Sequence, residues 1–166
     1  MTRLLYCVTT ILLLVIAFGL LGNYRINLTA SSPLGIYQMR DFGTQDQAGP
    51  YVLVCNPRIT GFAYRRGYLR SRNLCLLKPT IGVPGDHLHY DQNGVRLNGV
   101  LLARTAPQIK DSQGSWLAHY AFGDYVVDRA HLWLISEYSS KSYDSRYFGP
   151  VSINYIYRNA KPVWLF

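Results

Sequence analysis

Lys78 is the only charged side chain between Leu74 and the turn at Gly85-Asp86, in the run LCLLKPTIGVPGD. Leu74, Leu76, Leu77 and Ile81 make that run an apolar strand, where a lysine must either snorkel out or lose solvation. Desolvation disfavours the ammonium form and lowers a lysine pKa, which gives a neutral amine able to take a proton near neutral pH. From this run alone two readings stand, a general base or a solvent-facing side chain on the polar face of an edge strand. A nucleophile for such a base lies upstream, in NLTASSPLGIY from Asn27 to Tyr37. Pro33 fixes the backbone beside Ser31 and Ser32, and Gly35 lets a neighbouring chain come close. Taken alone this is a weak signal, since Ser-Ser-Pro is common in plain turns.

A third segment, SYDSRYFGP from Ser142 to Pro150, completes the pattern. The serine box, the Lys-x(3)-Gly-x-Pro-Gly-Asp box and this third box, in that order, resemble the signal peptidase family of serine/lysine proteases. The form Thr-x-Ser-x-Pro-x-Gly-x-Tyr is similar to the conjugal-transfer, TraF-type pilin-maturation branch, whereas the housekeeping branch has Ser-Met after the nucleophile. The resemblance implies a mainly β, antiparallel signal-peptidase-like fold with one N-terminal transmembrane helix. It implies Ser31 as nucleophile and Lys78 as general base. Thr29 then stands where a hydroxyl joins the oxyanion hole, Ser142 where a hydroxyl orients the lysine, and Asp144 and Arg146 where a buried pair supports the floor. Ser136 to Lys141, SEYSSK, departs from the family's usual Gly-Asp-Asn-Arg-Asp run. Between the adjacent serines, the resemblance selects Ser31, since the family's spacing is Ser-x-Pro. In an extended segment the two would face opposite ways, with Thr29 on the Ser31 side.

Composition bounds the rest. A chain of 166 residues with 49% hydrophobic and 16% charged content is neither a disordered tail nor several domains. Leu4 to Leu21 carries no charge and as a helix would measure roughly 27 Å, enough for a thin bilayer core. It reads as an uncleaved anchor; the rival is a cleavable leader ending at Ala17-Phe-Gly19. The expected division is 1–24 as the anchor and 25–166 as a periplasmic peptidase domain at the bacterial inner membrane. The net charge of +8 is densest at Arg65, Arg66, Arg70 and Arg72. Such a patch suits phosphates or anionic lipid headgroups; in a membrane-anchored domain no nucleic-acid partner is expected.

Cys7 lies in the apolar run, while Cys55 and Cys75 flank the arginine-rich segment. Closing that loop in an oxidising compartment makes the second pair a disulfide. Two thiolates are only half a zinc site, and His87 and His89 are not at a spacing that ties them in, so no metal or cofactor is expected. Short strands are expected at 35–39, 51–55, 74–81, 87–90, 95–97, 125–128, 132–136 and 163–166, with a short helix at 59–66 and a surface excursion at 104–123. The resemblance implies a propilin of a conjugative type IV secretion system as substrate, a product that is either linear or cyclised, and room for other conjugation-system components as partners. The alternatives are a general signal peptidase acting on exported preproteins and, from another class, an inactive binding subunit of a secretion complex.

Overall fold

Apolar residues that alternate with polar ones, punctuated by Gly, Pro and Asn-Gly pairs, give this chain a fold built mainly on antiparallel strands. The structure, a computed structural model, describes residues 2–43 and 47–166, so Met1 of the expected anchor lies outside it. Helix α1 (Thr2–Leu21) leads, with some of its side chains described. Its 20 residues span about 30 Å. Among the described residues no helix is long and apolar enough to cross a membrane. The helix ends at Gly22 and Asn23, and Asn23 takes a positive φ of 54°, a conformation Asn tolerates at helix C-termini. The Asn23 carbonyl accepts from Met39 N at 2.9 Å.

The strands follow as β1 (Tyr24–Asn27), β2 (Gly35–Asp41), β3 (Tyr51–Val54), β4 (Leu76–Gly82), β5 (His87–Asp91), β6 (Gly94–Leu97), β7 (Val100–Leu101), β8 (Gly123–Val126), β9 (His131–Leu134), β10 (Val151–Ser152) and β11 (Ile156–Leu165). Helix α2 (Pro57–Arg65) falls after β3, and the one-turn α3 (Ser145–Phe148) falls after β9. A seven-stranded sheet runs β1-β2-β11-β3-β4-β9-β10, and a four-stranded sheet runs β7-β6-β5-β8. The closing strand begins at Ile156 rather than 163, because it pairs with both β2 and β3. Gly35 is the point of closest approach there: a Cβ would strike the Trp164 carbonyl oxygen.

Strand β9 joins the two sheets. Its alternate residues Leu132 and Leu134 enter the core with Val52, Val54 and Leu76. Trp133, with Ile135 just beyond the strand, enters the core of the small sheet with Leu88, Tyr90 and Val95. Successive side chains of a strand point to opposite faces, so one strand serves both cores. The β6–β7 turn uses Asn98 and Gly99 at φ 49° and 88°, the type I′ geometry that Asn-Gly favours. Residues 104–122 form no strand or helix beyond an isolated bridge between Lys110 and Trp116, and β8 begins at Gly123, the last residue of the expected excursion. That excursion is not wholly superficial, since Thr105 and Leu117 are buried.

Asn56 caps α2, its Oδ1 accepting from Arg58 N (2.9 Å) and Ile59 N (3.3 Å), and Pro57 occupies the first turn. Cys55 and Cys75 are joined as a disulfide with Cα atoms 4.7 Å apart, which closes the loop that carries α2. Replacing both cysteines by serine should lower the free energy of unfolding by about 3 kcal/mol, because the open loop regains unfolded-state entropy. Urea unfolding of the double variant beside the parent checks this, and coincident midpoints would remove the bridge from the stability account.

Candidate active site

Between β1 and β2 the chain makes a tight turn, with Ser32 N donating to Thr29 O at 3.4 Å. Residues 29–32 are therefore not the extended segment expected of them. The reason is Asn27, a buried amide at the end of β1 that the turn folds around. Its Oδ1 accepts from Thr29 N (3.1 Å) and Thr29 Oγ1 (2.6 Å). Its Nδ2 donates to the carbonyls of Thr29 (3.1 Å), Ser32 (3.1 Å) and Pro33 (2.9 Å). Tyr37 Oη donates to Pro33 O at 2.8 Å from the other side.

Within this turn the two serines diverge. Ser31, together with Thr29, lines a cavity of ≈ 590 Å³ whose wall also includes Tyr37, Leu77 and Lys78. Ser32 is 0% exposed, and its Oγ donates to Leu77 O at 3.3 Å. Among the described residues the Ser31 hydroxyl has no hydrogen bond, and the Thr29 hydroxyl donates to Asn27 rather than into the cavity. Asn27 is the residue that sequence reasoning missed. An Asn just ahead of a Thr-Ala-Ser-Ser-Pro turn was the available signal, since Asn side chains bond backbone groups a few residues on.

Lys78 lies on β4, a central strand flanked by β3 and β9, and is 1% exposed. That disposes of the solvent-facing, edge-strand reading. Strand β9 ends at Leu134, opposite Thr80, so Lys78 lies past the end of their pairing. There the segment that follows β9 reaches it, and Lys78 Nζ donates to Ser142 Oγ at 2.9 Å. Burial pushes the amine down to about 8; Asp144 pulls it up and Arg146 pushes it down.

Each residue of the segment that ends at Gly149 has a physical task. Asp144 and Arg146 are both 0% exposed and pair at 2.8 Å. Arg146 Nε binds the second carboxylate oxygen at 2.8 Å, a two-pronged contact. The remaining guanidinium N–H groups reach the carbonyls of Arg104, Ala106, Ser140 and Ser142. Ser145 Oγ accepts from Leu134 N at 2.9 Å and ties α3 to the end of β9. Tyr147 Oη accepts from Gln108 N at 3.0 Å. Gly149, at φ 76°, passes under the Tyr120 ring, where a Cβ would not fit. The departure at 136–141 is accommodated by Ser136, whose N–H donates to Asp144 Oδ2 (3.2 Å) while its Oγ accepts from Tyr138 N (3.2 Å) and Ser139 N (3.3 Å).

His87 and His89 lie on the outer face of β5, remote from this site, with His89 on Asp124 at 2.8 Å. Among the described residues no three His, Cys, Asp or Glu side chains cluster as a metal site. Asn27→Ala should speed amide hydrogen exchange at Thr29 by at least about tenfold, the equivalent of one buried hydrogen bond, while the amides of β3 and β4 keep their protection. Unchanged exchange at residues 29–32 would show that the turn holds itself without Asn27.

Comparison with known proteins agrees with the resemblance of the three boxes. The family model "Signal peptidase, peptidase S26" matches residues 2–165. The conjugal transfer protein TraF of Agrobacterium fabrum (strain C58) is 37% identical over 156 residues, covering 89% of this chain and 86% of that protein. A plasmid transfer protein TraF of Escherichia coli is 33% identical over 159 residues, covering 91% and 88%. Among solved structures, a signal peptidase I from Enterococcus faecalis V583 superposes with a TM-score of 0.38 at 18% identity, over 68% of this chain and 93% of that one. With a family model spanning nearly its whole length and full-length relatives above 30% identity, the chain belongs to the signal peptidase (peptidase S26) family.

Proposed function

We propose that this chain is a membrane-anchored serine endopeptidase with a Ser31/Lys78 dyad that matures a propilin of a conjugative type IV secretion system. The observation that carries this reading is Lys78, a buried amine lowered to about 8 that lines the same cavity as Ser31. The family supplies the reaction class, and relatives named for conjugal and plasmid transfer supply the setting. The same relatives favour a dedicated substrate over the broad range of exported preproteins.

Ser31 Oγ attacks the scissile carbonyl carbon as its proton passes to the neutral Lys78 Nζ. This requires Ser31 Oγ to come within hydrogen-bond reach of Nζ when substrate fills the cleft. The oxyanion is met by the Ser31 backbone N–H and by the Thr29 hydroxyl, which turns away from Asn27. Asn27 Oδ1 still accepts Thr29 N, so that turn orphans no buried acceptor. Ser142 keeps Nζ aimed along the cavity, and the Asp144–Arg146 pair keeps Ser142 in place. Lys78 then returns its proton to the leaving amine, the acyl bond to Ser31 remaining. Deacylation by water gives a linear product; deacylation by an amine tethered on the substrate closes a ring, favoured by effective concentration.

The anchor reading rests on the sequence alone, in which Leu4 to Leu21 carries no charge; among the described residues no helix is long and apolar enough to cross a membrane. The division is 1–24 as the span and 25–166 as the peptidase domain, on the periplasmic side of the inner membrane. Exposed Ile26, Leu28, Trp164 and Phe166 give the sheet end next to α1 an apolar surface suited to a bilayer interface.

Two outcomes test the dyad. Ser31→Ala should abolish propilin processing by several orders of magnitude, while Ser32→Ala, whose hydroxyl is buried against Leu77, retains most of it. Processing measured by mass spectrometry at equal folded concentration decides, and an active Ser31→Ala protein overturns the nucleophile. Because the neutral amine is the active form, kcat/KM should climb about tenfold per pH unit up to roughly 8 and level off above it. Lys78→Arg should stay at background throughout, as guanidinium keeps its proton. A flat profile for the parent between pH 6 and 9 would remove Lys78 as the base.

A further inference from the structure

A second cavity, of ≈ 730 Å³, shares the wall residues Leu117 and Tyr143 with the catalytic one. Its character is different. Three arginines line it, Arg58, Arg65 and Arg66, and among the described residues no Asp or Glu does. Ile59, Phe62, Phe148 and Val151 give it an apolar floor. Trp116, 68% exposed, and Tyr155, 43% exposed, stand at its rim.

Among the described residues the charge of Arg58 and Arg65 is unneutralised, for a reason legible in the chain: residues 55–75 contain five arginines and no acid. Arg66 is paired with Asp111 at 2.7 Å and also donates to Trp116 O at 2.7 Å. Arg72 lies over the Tyr64 ring. Among the described residues Arg58 and Arg65 have no ion pair, although both face Tyr143 closely enough to oppose the effect of burial on its phenol. The Cys55–Cys75 bridge and the stack of Phe62 on Tyr143 (5.0 Å between ring centres) hold this arginine-bearing element against the catalytic domain.

Clustered guanidinium groups over an apolar, aromatic floor are complementary to a peptide that carries carboxylates and an apolar side chain together. Continuity with the catalytic cavity places such a peptide on the same chain as the scissile bond. We propose that this second cavity is an exosite for an acidic segment of the protein substrate that flanks the cleavage site, with Arg58 and Arg65 pairing with its carboxylates. This rests on the peptidase reading above and deepens it: the dyad cuts the chain, and the acidic segment is what singles out the substrate.

The test uses the full chain in detergent micelles and two readouts. In the first, a fluorescein-labelled peptide Glu-Glu-Phe-Glu-Leu-Glu is titrated by anisotropy against its all-lysine counterpart. The acidic probe should bind preferentially, Ser31→Ala should leave its Kd unchanged, and Arg58→Glu with Arg65→Glu should raise it at least about tenfold, the effect of reversing a charge across an interface. Glu at position 58 sits in the first turn of α2, where a negative charge favours the helix, and the shape-keeping Arg58→Gln, Arg65→Gln variant guards against misfolding. In the second readout, a quenched peptide with the propilin residues around the cut is compared with versions extended by Glu-Glu-Phe-Glu at either end. One extension should lower KM about tenfold for the parent, with kcat unchanged, and do nothing for the double variant. Equal binding of acidic and basic probes, or an unaltered Kd in both double variants, overturns the exosite. Loss of binding to phosphatidylglycerol vesicles in the double variants, without any binding of the acidic peptide, assigns the arginines to lipid and overturns it too. A parent that binds the acidic probe but cuts no peptide overturns the peptidase reading and leaves the cavity as a site for acidic segments.

Discussion

The buried Asp144–Arg146 pair is the constraint on which the rest of the catalytic half depends. Both side chains are fully shielded from water, so each charge is tolerable only while the other is present. Such a pair adds little net stability, yet removing one partner costs about 3 to 5 kcal/mol. The N–H donors of Arg146 that are not on Asp144 are engaged on carbonyls drawn from the 104–106 and 140–142 segments. Its own carbonyl accepts from Tyr120 N (2.7 Å) and Tyr90 Oη (3.0 Å). One side chain and its peptide group thus tie the long excursion, the small sheet and the segment bearing Ser142 to one point. Ser142 is where it is because Arg146 holds its carbonyl, and Lys78 points where it does because of Ser142.

Lys78 shows the opposite balance, a buried group kept at a cost to stability. Its folded pKa, about 8 against an ordinary 10.5, lies below the unfolded value. Below pH 8 both states carry the proton, and the folded state bears the full cost, about 3 kcal/mol at roughly 1.4 kcal/mol per unit. As pH rises from 8 to 10.5 the folded amine is neutral while the unfolded one is not, and the cost disappears. The domain offsets this with its apolar cores and a disulfide. Asp144 and Arg146 act on Lys78 in opposite directions, so the ion pair holds the amine's surroundings nearly neutral and leaves desolvation to set its basicity.

Positive charge is handled differently on the two sides of Tyr143. On the catalytic side it is buried, hydrogen-bonded and tuned; on the other, Arg58 and Arg65 are left at the surface over an aromatic floor. Attraction by surface guanidinium groups is screened over about 10 Å at 0.1 M salt, so it acts on a chain segment already passing the cleft. The rigid bridge between Cys55 and Cys75 keeps these charges next to the catalytic domain.

The sequence by itself determined the local features of this protein. The strands, the Asn98-Gly99 turn, the helix after β3 and the segment bearing Ser142, Asp144 and Arg146 all follow from residue types acting on near neighbours. So does the pairing of Cys55 with Cys75, the two cysteines outside the apolar run. Only the tertiary structure decided whether Lys78 meets water, because a seven-residue apolar strand reads alike at an edge and in the middle of a sheet, and β4 is central only through pairing with β3 and the distant β9. It also decided the shape of the serine segment, where periodicity suggested an extended chain. The side chain of Asn27 satisfies backbone groups that a strand would have paired elsewhere, and a buried amide's choice of partners is a property of the enclosed space, not of the sequence spacing. The second cavity belongs to the same class: its arginines are plain in the sequence, but which of them is paired is set only by the fold, which puts Asp111 on Arg66 and, among the described residues, no acid on Arg58 or Arg65.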